Sequence, residues 1–375
     1  MKYSVENLVR LAKRENNSIR SYLYVNPLQG KHIPARPEET LDMCCELAGI
    51  VNEKYPGDRL FVIGLAETAT GIASGTAGFL DNAVYYQNTT REVQENAEYL
   101  HFTESHSHAT DQMLRISGLT SCIQDVDRII FIDDEVTTGN TICKLIAAIR
   151  NLRHINDVKY SIVSVLNSMT KDRREELEQM GIDCLFLSPL PFEYKKESIE
   201  GVEYDPDKDT SEYGPLTVRY ETFTYNARVN PRTLSRFEDY SADNTKFSEE
   251  IKALLSGKQY EEVLVLGTEE FMYSAVVLGY VLRKAGIAGE VRVHATTRSP
   301  IVASGSKDYP LFHRYKLRSL YDPERRTYIY NLKKYDKVII VTDTPAFPEG
   351  ASDLICALDS AGNEDILLAG WKYAQ

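Results

Sequence analysis

Short apolar runs separated by helical stretches constrain this chain more than any other feature. LFVIG (Leu60–Gly64), AVYYQN, RIIFID, YSIVSVL and CLFLS follow one another, with ETATGIASGTAGFL, a helical pattern from Asn140 to Leu152 and KDRREELEQMG among them. A strand with one wet face alternates in polarity, whereas a continuous apolar strand is covered on both faces. The pattern predicts a parallel α/β sheet. Upstream, RPEETLDMCCELAGIVNEKY has an acidic first turn and helical apolar spacing.

A second α/β series starts at EEVLVLG (Glu261–Gly267) and repeats the first in order. RLFVIGLAETATGIASGTAGFL resembles EEVLVLGTEEFMYSAVVLGYVL, AVYYQNTTREV resembles VRVHATTRSPI, and RIIFIDDEVTTG resembles KVIIVTDTPAFPEG. Gly64, Arg91 and Asp134 are spaced nearly as Gly267, Arg298 and Asp343 are. The C-terminal domain therefore reads as a diverged copy of the core. The plainer alternative is that any two parallel α/β domains share strand–Gly–helix units. At 375 residues the chain exceeds one core. It divides into residues 1–190, a core with an N-terminal hood segment, then 191–244, an irregular extension and linker, and 245–375, the second α/β domain. The middle region is rich in Tyr, Pro, Asp and Glu, with one strand expected in Leu216–Tyr225.

The formal charge of -12 argues against a nucleic-acid backbone or an anionic membrane as main partner. No apolar run approaches the roughly 18 residues that span a bilayer. The N-terminal MKYSVENLVRLAKREN lacks a signal core. The six cysteines form no CxxC pair and read as buried, reduced thiols. A cytoplasmic protein is expected.

The chemistry concentrates in RIIFIDDEVTTGNTI (Arg128–Ile142). Two adjacent aspartates at the end of a buried strand repel unless something pairs with them. In an open parallel sheet, ligands bind beyond the carboxyl ends of the strands. There, carboxylates accept hydrogen bonds from vicinal hydroxyls, and the Thr137–Thr141 turn offers helix-start amides and hydroxyls to an anion. A sugar phosphate satisfies both. No GxxxxGK[ST] is present, so the turn is not a P-loop. Simple helix capping needs one carboxylate, not two.

Four apolar residues, Asp-Asp, two residues and Thr-Thr-Gly-x-Thr together resemble the phosphoribosyl-pyrophosphate signature of type I, orotate-type phosphoribosyltransferases, over about residues 30–190. The resemblance implies that Asp133 and Asp134 hold the ribose hydroxyls. It implies that Thr137, Thr138, Gly139, Asn140 and Thr141 cradle the 5-phosphate. Glu67, Thr68 and Ala69 would lie in the pyrophosphate loop, with Arg91 as the basic residue beside it. YLHFTESHSHATDQ corresponds to the family's mobile loop, which makes Glu104, His106 and His108 candidate catalytic groups. Orotate-type loops carry lysines where this one has histidines. Glu135 departs from the family's apolar position. Mg²⁺ is expected near Asp133 and Asp134, held largely through substrate and water. Glu104, His106 and His108 also form an HxH pattern, but no further Cys/His cluster completes a zinc site. His32, in NPLQGKHIPARP, fits an acceptor hood.

TTRSP (Thr296–Pro300), with GTEEFMY upstream and YIYNLKKYDKVIIVTD downstream, resembles the TRSP domain. That domain follows an orotate-type core in bacterial proteins of tellurite-resistance and stress gene clusters, which implies a part in making a nucleoside-like metabolite. Here Val341-Thr342-Asp343 replaces the acid pair and PAFPEG replaces Thr-Thr-Gly. The second domain is thus not expected to bind the same sugar phosphate. Gly267, Glu269, Glu270, Thr297, Arg298, Ser299 and Asp343 outline a second ligand site with an anion-binding arginine; a structural lid or dimer surface is the plainer reading. The resemblance implies a Mg²⁺-dependent phosphoribosyltransferase acting on phosphoribosyl pyrophosphate and a small-molecule acceptor, with a homodimer left open. A non-catalytic sensor of a ribosyl phosphate or nucleotide, and a lyase running the reaction in reverse, are the alternatives.

Overall fold

The computed structural model describes residues 2–15, 20–94, 97–102, 112–152, 158–191, 195–214 and 216–373. The chain forms two compact units. Unit 1 comprises Met1–Val5, Leu41–Phe192 and Arg228–Asp243; unit 2 comprises Glu6–Thr40, Glu193–Ala227 and Asn244–Gln375. Both are α/β.

In unit 1 the strands are β1 (Leu60–Gly64), β2 (Ala83–Asn88), β3 (Tyr99–Phe102), β4 (Gln112–Arg115), β5 (Arg128–Val136), β6 (Lys159–Asn167) and β7 (Ile182–Pro189). The sheet runs β2–β1–β5–β6–β7 with all neighbours parallel, and the short strand Ser235–Arg236 adds antiparallel to β2. β3 and β4 form a separate antiparallel hairpin. Helices α1 (Thr70–Ala77), α2 (Asn140–Arg150) and α3 (Lys171–Gln179) follow β1, β5 and β6. Phe61, Ile63, Ile129 and Phe131 are fully buried and pack with Leu145 and Ile149 of α2. Each such side chain contributes about 1.5–3 kcal/mol through burial. The apolar runs are therefore the floor of the sheet.

β5 is longer than its sequence suggests: the aspartates were expected to end the strand, and it runs on through Glu135 to Val136. β1 stops at Gly64 opposite Ile132, while β5 continues to Val136 paired only with β6. Asp133, Asp134 and Glu135 thus lie inside a strand whose β1 flank is vacated. Strand order reverses at β1/β5, where a crevice opens in sheets of this topology.

Unit 2 repeats the plan. Besides the short strands Arg10–Lys13, Tyr22–Val25 and Asp209–Thr210, its strands are β8 (Tyr220–Ala227), β9 (Tyr260–Gly267), β10 (Ala288–Ala295), β11 (Arg314–Arg318), β12 (Arg326–Tyr330), β13 (Lys337–Thr342) and β14 (Ile366–Tyr373). The sheet order is β8–β14–β13–β9–β10, all parallel, and β11–β12 form an antiparallel hairpin. Helices α4 (Tyr273–Lys284) and α5 (Ser352–Ser360) follow β9 and the turn after β13. Residues 191–244 are more regular than expected: they supply β8 and the start of a helix, Phe237–Leu254, with Phe237, Tyr240, Phe247 and Ile251 buried. The segment around His32 belongs to unit 2, where Ala35 bridges Val293 and His32 is buried beside Tyr330.

All six cysteines are unpaired; Cys44 and Cys122 are buried and Cys45 is exposed. Burial pushes the Cys44 thiol up to about 12. Among the described residues no helix is long and apolar enough to cross a membrane.

Candidate active site

Gly64 closes β1 because nothing larger fits: a Cβ there would lie 2.7 Å from that of Ala73 and 3.0 Å from the Tyr86 hydroxyl. The loop that follows is tied down by backbone bonds. Leu65 donates its amide to Ile132 (3.1 Å), and Ala66 donates to the Thr89 hydroxyl (2.8 Å). The Ala66–Glu67 peptide is cis. Glu67 and Ala69 are buried and Thr68 is half-buried. The Thr68 hydroxyl crosses the crevice to Asp134 Oδ1 (2.8 Å), and Asp133 Oδ1 accepts the Asp134 amide (2.9 Å). Asp133, Asp134 and Glu135 are half-buried, as is Arg91 beyond β2.

On the other side, Thr137 and Thr138 are exposed and Gly139 adopts a left-handed conformation (φ 71°) that glycine tolerates. The N-cap residues Ala69 and Gly139 supply no side-chain cap, and at α2 the Thr138 hydroxyl accepts the Asn140 amide (3.3 Å). The first amides of a helix have no intrahelical acceptor, which suits an anion. Two such starts flank one acid pair.

One residue of this turn escaped the sequence reading. Arg173, on α3, donates Nε to the Thr138 carbonyl (2.9 Å) and Nη2 to Asn140 Oδ1 (3.0 Å). In KDRREELEQMG it is one charge among many on a surface helix, and nothing local marks it. Arg128, at the opposite end of β5, pairs with Asp58 (2.8 Å) and Asp183 (3.0 Å) over the Tyr55 ring and is structural. Glu104, His106 and His108 lie outside the described residues. No group of three or more His, Cys, Asp or Glu among the described residues is placed to hold a metal ion.

Of the residues expected in the second domain, the structure joins Glu269, Glu270 and Arg298 directly. Glu269 Oε2 accepts from Arg298 Nε (2.8 Å) and Arg325 Nη2 (2.9 Å), Oε1 accepts from Ser319 (2.5 Å), and Arg298 Nη2 lies 3.6 Å from Glu270. Asp343 accepts hydroxyls from Tyr321 (2.6 Å) and Tyr373 (2.7 Å). Gly267, Thr297 and Ser299 are backbone elements instead: Gly267 packs under Met272, Thr297 bridges Tyr328, and the Ser299 carbonyl accepts from Tyr330 (2.7 Å). Ser319, Tyr321 and Arg325 were missed because they sit at the β11–β12 tip, where sequence spacing gives no register.

Residues 8–189 match a family described as phosphoribosyl transferase, and residues 234–358 match the TRSP domain, described as C-terminal to it. Among solved structures, adenine phosphoribosyltransferase from Rhodothermus marinus is similar at 15% identity over 50% of this chain and 96% of that one, with a TM-score of 0.36. Orotate phosphoribosyltransferase from Mycobacterium tuberculosis, in complex with inorganic phosphate, shares 14% over 50% and 91%, with a TM-score of 0.29. That from Aeropyrum pernix shares 17% over 51% and 90%, with a TM-score of 0.31. No curated protein matches. The chain thus belongs to the phosphoribosyl transferase family, with a TRSP domain at its C-terminal side.

Proposed function

We propose that unit 1 transfers ribose 5-phosphate from phosphoribosyl pyrophosphate to a small-molecule acceptor, displacing pyrophosphate. The observation that carries this reading is the placement of Asp133 and Asp134 on the vacated flank of β5, with α1 following β1 and α2 following β5. Asp133 and Asp134 accept the ribose hydroxyls, and the Thr137–Thr141 turn receives the 5-phosphate. The loop from Glu67 to Ala69, with Arg91, faces the pyrophosphate.

The carboxylates of Asp133, Asp134 and Glu135 suit a hard cation held through water and substrate, the usual habit of Mg²⁺. When bound, Mg²⁺ would offset the charge of the departing pyrophosphate. The chain's own part is to position the sugar and stabilise its charges, since the reacting carbon becomes a loose cation. Thr68 holds one Asp134 oxygen, which fixes the carboxylate's orientation toward the sugar.

The test is incubation with phosphoribosyl pyrophosphate, Mg²⁺ and a cell extract, reading pyrophosphate release and a new ribosylated mass. Release with a new mass supports transfer. Tight binding without turnover across broad acceptor pools supports a sensor and sinks the enzyme reading. Production of phosphoribosyl pyrophosphate from a ribosylated compound and pyrophosphate, without the forward reaction, points to a lyase.

A further inference from the structure

The crevice of unit 2 keeps part of the ground plan of unit 1 and discards the rest. β9 stops at Gly267 opposite Val341, as β1 stops at Gly64 opposite Ile132, so Asp343 holds the place of Asp134 and Thr342 that of Asp133. The anion turn is not repeated. Its place is taken by a segment whose Phe347 ring lies so close to Gly370 of β14 that a Cβ there would fall 2.5 Å from it. An apolar ring in that position excludes a phosphate.

Charge points the same way. Arg298 and Arg325 are spent on Glu269, Arg298 also approaches Glu270, and the buried Lys31 ammonium donates to the carbonyls of Glu269 (2.6 Å) and Thr296 (3.0 Å). The arginines thus face Glu269 and Glu270, Lys31 is held by backbone carbonyls, and Lys372 lies over the Phe347 ring (6.0 Å). The half-buried Tyr321 and Tyr373 meet the buried Asp343 through their phenols, and the half-buried Phe347 ring lies against Gly370 of β14. Half-exposed rings above a buried carboxylate suit a planar ligand that carries hydroxyls.

We propose that this crevice binds a nucleoside lacking a 5-phosphate. Its hydroxyls donate to Asp343 in place of the Tyr321 and Tyr373 phenols, and its base stacks on the released rings. The proposal leans on the function proposed for unit 1 only for what an aspartate at this position recognises.

Calorimetric titration of the full chain with adenosine, guanosine, cytidine and uridine, and with their 5-monophosphates, tests it. At least one nucleoside should bind the wild-type protein. Its affinity should fall at least tenfold in Asp343→Asn and at least fivefold in Tyr321→Ala, a hairpin-tip change that keeps the sheet intact. It should persist in Asp134→Asn, in which background the matching monophosphate should bind at least tenfold more weakly. Absence of nucleoside binding, binding unmoved by either unit 2 substitution in a protein of normal circular dichroism, or binding lost in Asp134→Asn would each overturn the proposal. Phosphoribosyl pyrophosphate titrated in parallel separates the two readings. Its failure to bind, beside an Asp343-dependent nucleoside site, removes the function proposed for unit 1 and leaves this one standing.

Discussion

The two crevices share a backbone and differ in what fills it. In unit 1 the Thr89 amide donates to the Gly64 carbonyl (2.9 Å) and its hydroxyl accepts from Ala66; in unit 2 Thr296 repeats both, with Gly267 (3.2 Å) and Glu269 (3.0 Å). Thr90 bridges Met113 on β4 as Thr297 bridges Tyr328 on β12. What diverges is the side chain at one loop position. Ala66 leaves its crevice clear, whereas the equivalent Glu269 sends a buried carboxylate into it and draws the β11–β12 tip down through Ser319 and Arg325. A single acid thus fastens the β11–β12 tip beside the crevice of unit 2.

The largest effect is expected from breaking that closure. Glu269→Ala leaves Arg298 and Arg325 without their shared carboxylate in a site where Glu269 is 1% exposed. Removing one partner of a buried ion pair costs about 3–5 kcal/mol. A fall in Tm of roughly 6–15 °C is expected by calorimetry. A drop of under about 2 °C would mean that the cluster does not hold the hairpin. In unit 1 the matching lesion is functional. Asp134→Asn removes the carboxylate that Thr68 orients, and pyrophosphate release should lose about 10²–10³ in kcat/KM, from lost hydrogen bonds between a charged acceptor and substrate hydroxyls. Retention of activity within threefold would remove Asp134 from the site.

Most of this frame was legible before any coordinates. Leu60–Gly64, Arg128–Ile132 and Val263–Gly267 are buried on both faces, and that requirement writes itself into consecutive residues. The acid pair and the Thr-Thr-Gly turn, proposed as the site, stood out because one short segment carries both. Arg173, Arg325 and Tyr373 were not. Each reaches its site from a different element, and its role depends on tertiary approach rather than local pattern. The helix Phe237–Leu254 was hidden by its many polar residues, which cover the faces that its buried aromatics do not need.

A subtler divergence predicts a difference in acid sensitivity. Gln87 on β2 donates both amide hydrogens, to the carbonyls of Arg115 (3.0 Å) and Arg232 (3.2 Å). His294 occupies the matching position on β10, and its ring nitrogens face the carbonyls of Tyr330 (2.8 Å) and Gly30 (3.2 Å). A neutral imidazole has one N–H for two acceptors. Burial lowers the His294 pKa to about 4, against the two carbonyls and with Lys31 adding to the shift. The unfolded chain binds this proton near pH 6.5 and the folded chain only near 4, so stability falls as pH drops through that window and levels off below it. The loss is about 2–4 kcal/mol. Denaturation midpoints measured from pH 7.5 to 4 should show it. His294→Gln, which restores the two donors of unit 1, should flatten the profile in that range. An unchanged slope would exclude His294 as its source.

The smallest effect concerns the anion turn, which unit 2 has replaced by Pro345–Gly350. Arg173 braces the turn of unit 1 through the Thr138 carbonyl and the Asn140 side chain. Its side chain is 21% exposed and also pairs with Glu176 (2.6 Å), so its role is to hold the turn's shape. Charge-assisted hydrogen bonds of this kind contribute about 1.5 kcal/mol beyond solvent exchange. Arg173→Ala should therefore weaken phosphoribosyl pyrophosphate binding about tenfold by calorimetry. Arg173→Lys, which keeps the charge but not the fork, should recover only part of it. If the alanine protein binds as the wild type does, the turn is held by Gly139 and the β6 contact alone. Its rigidity would then owe nothing to α3, and the two units would differ at the turn by sequence rather than by support.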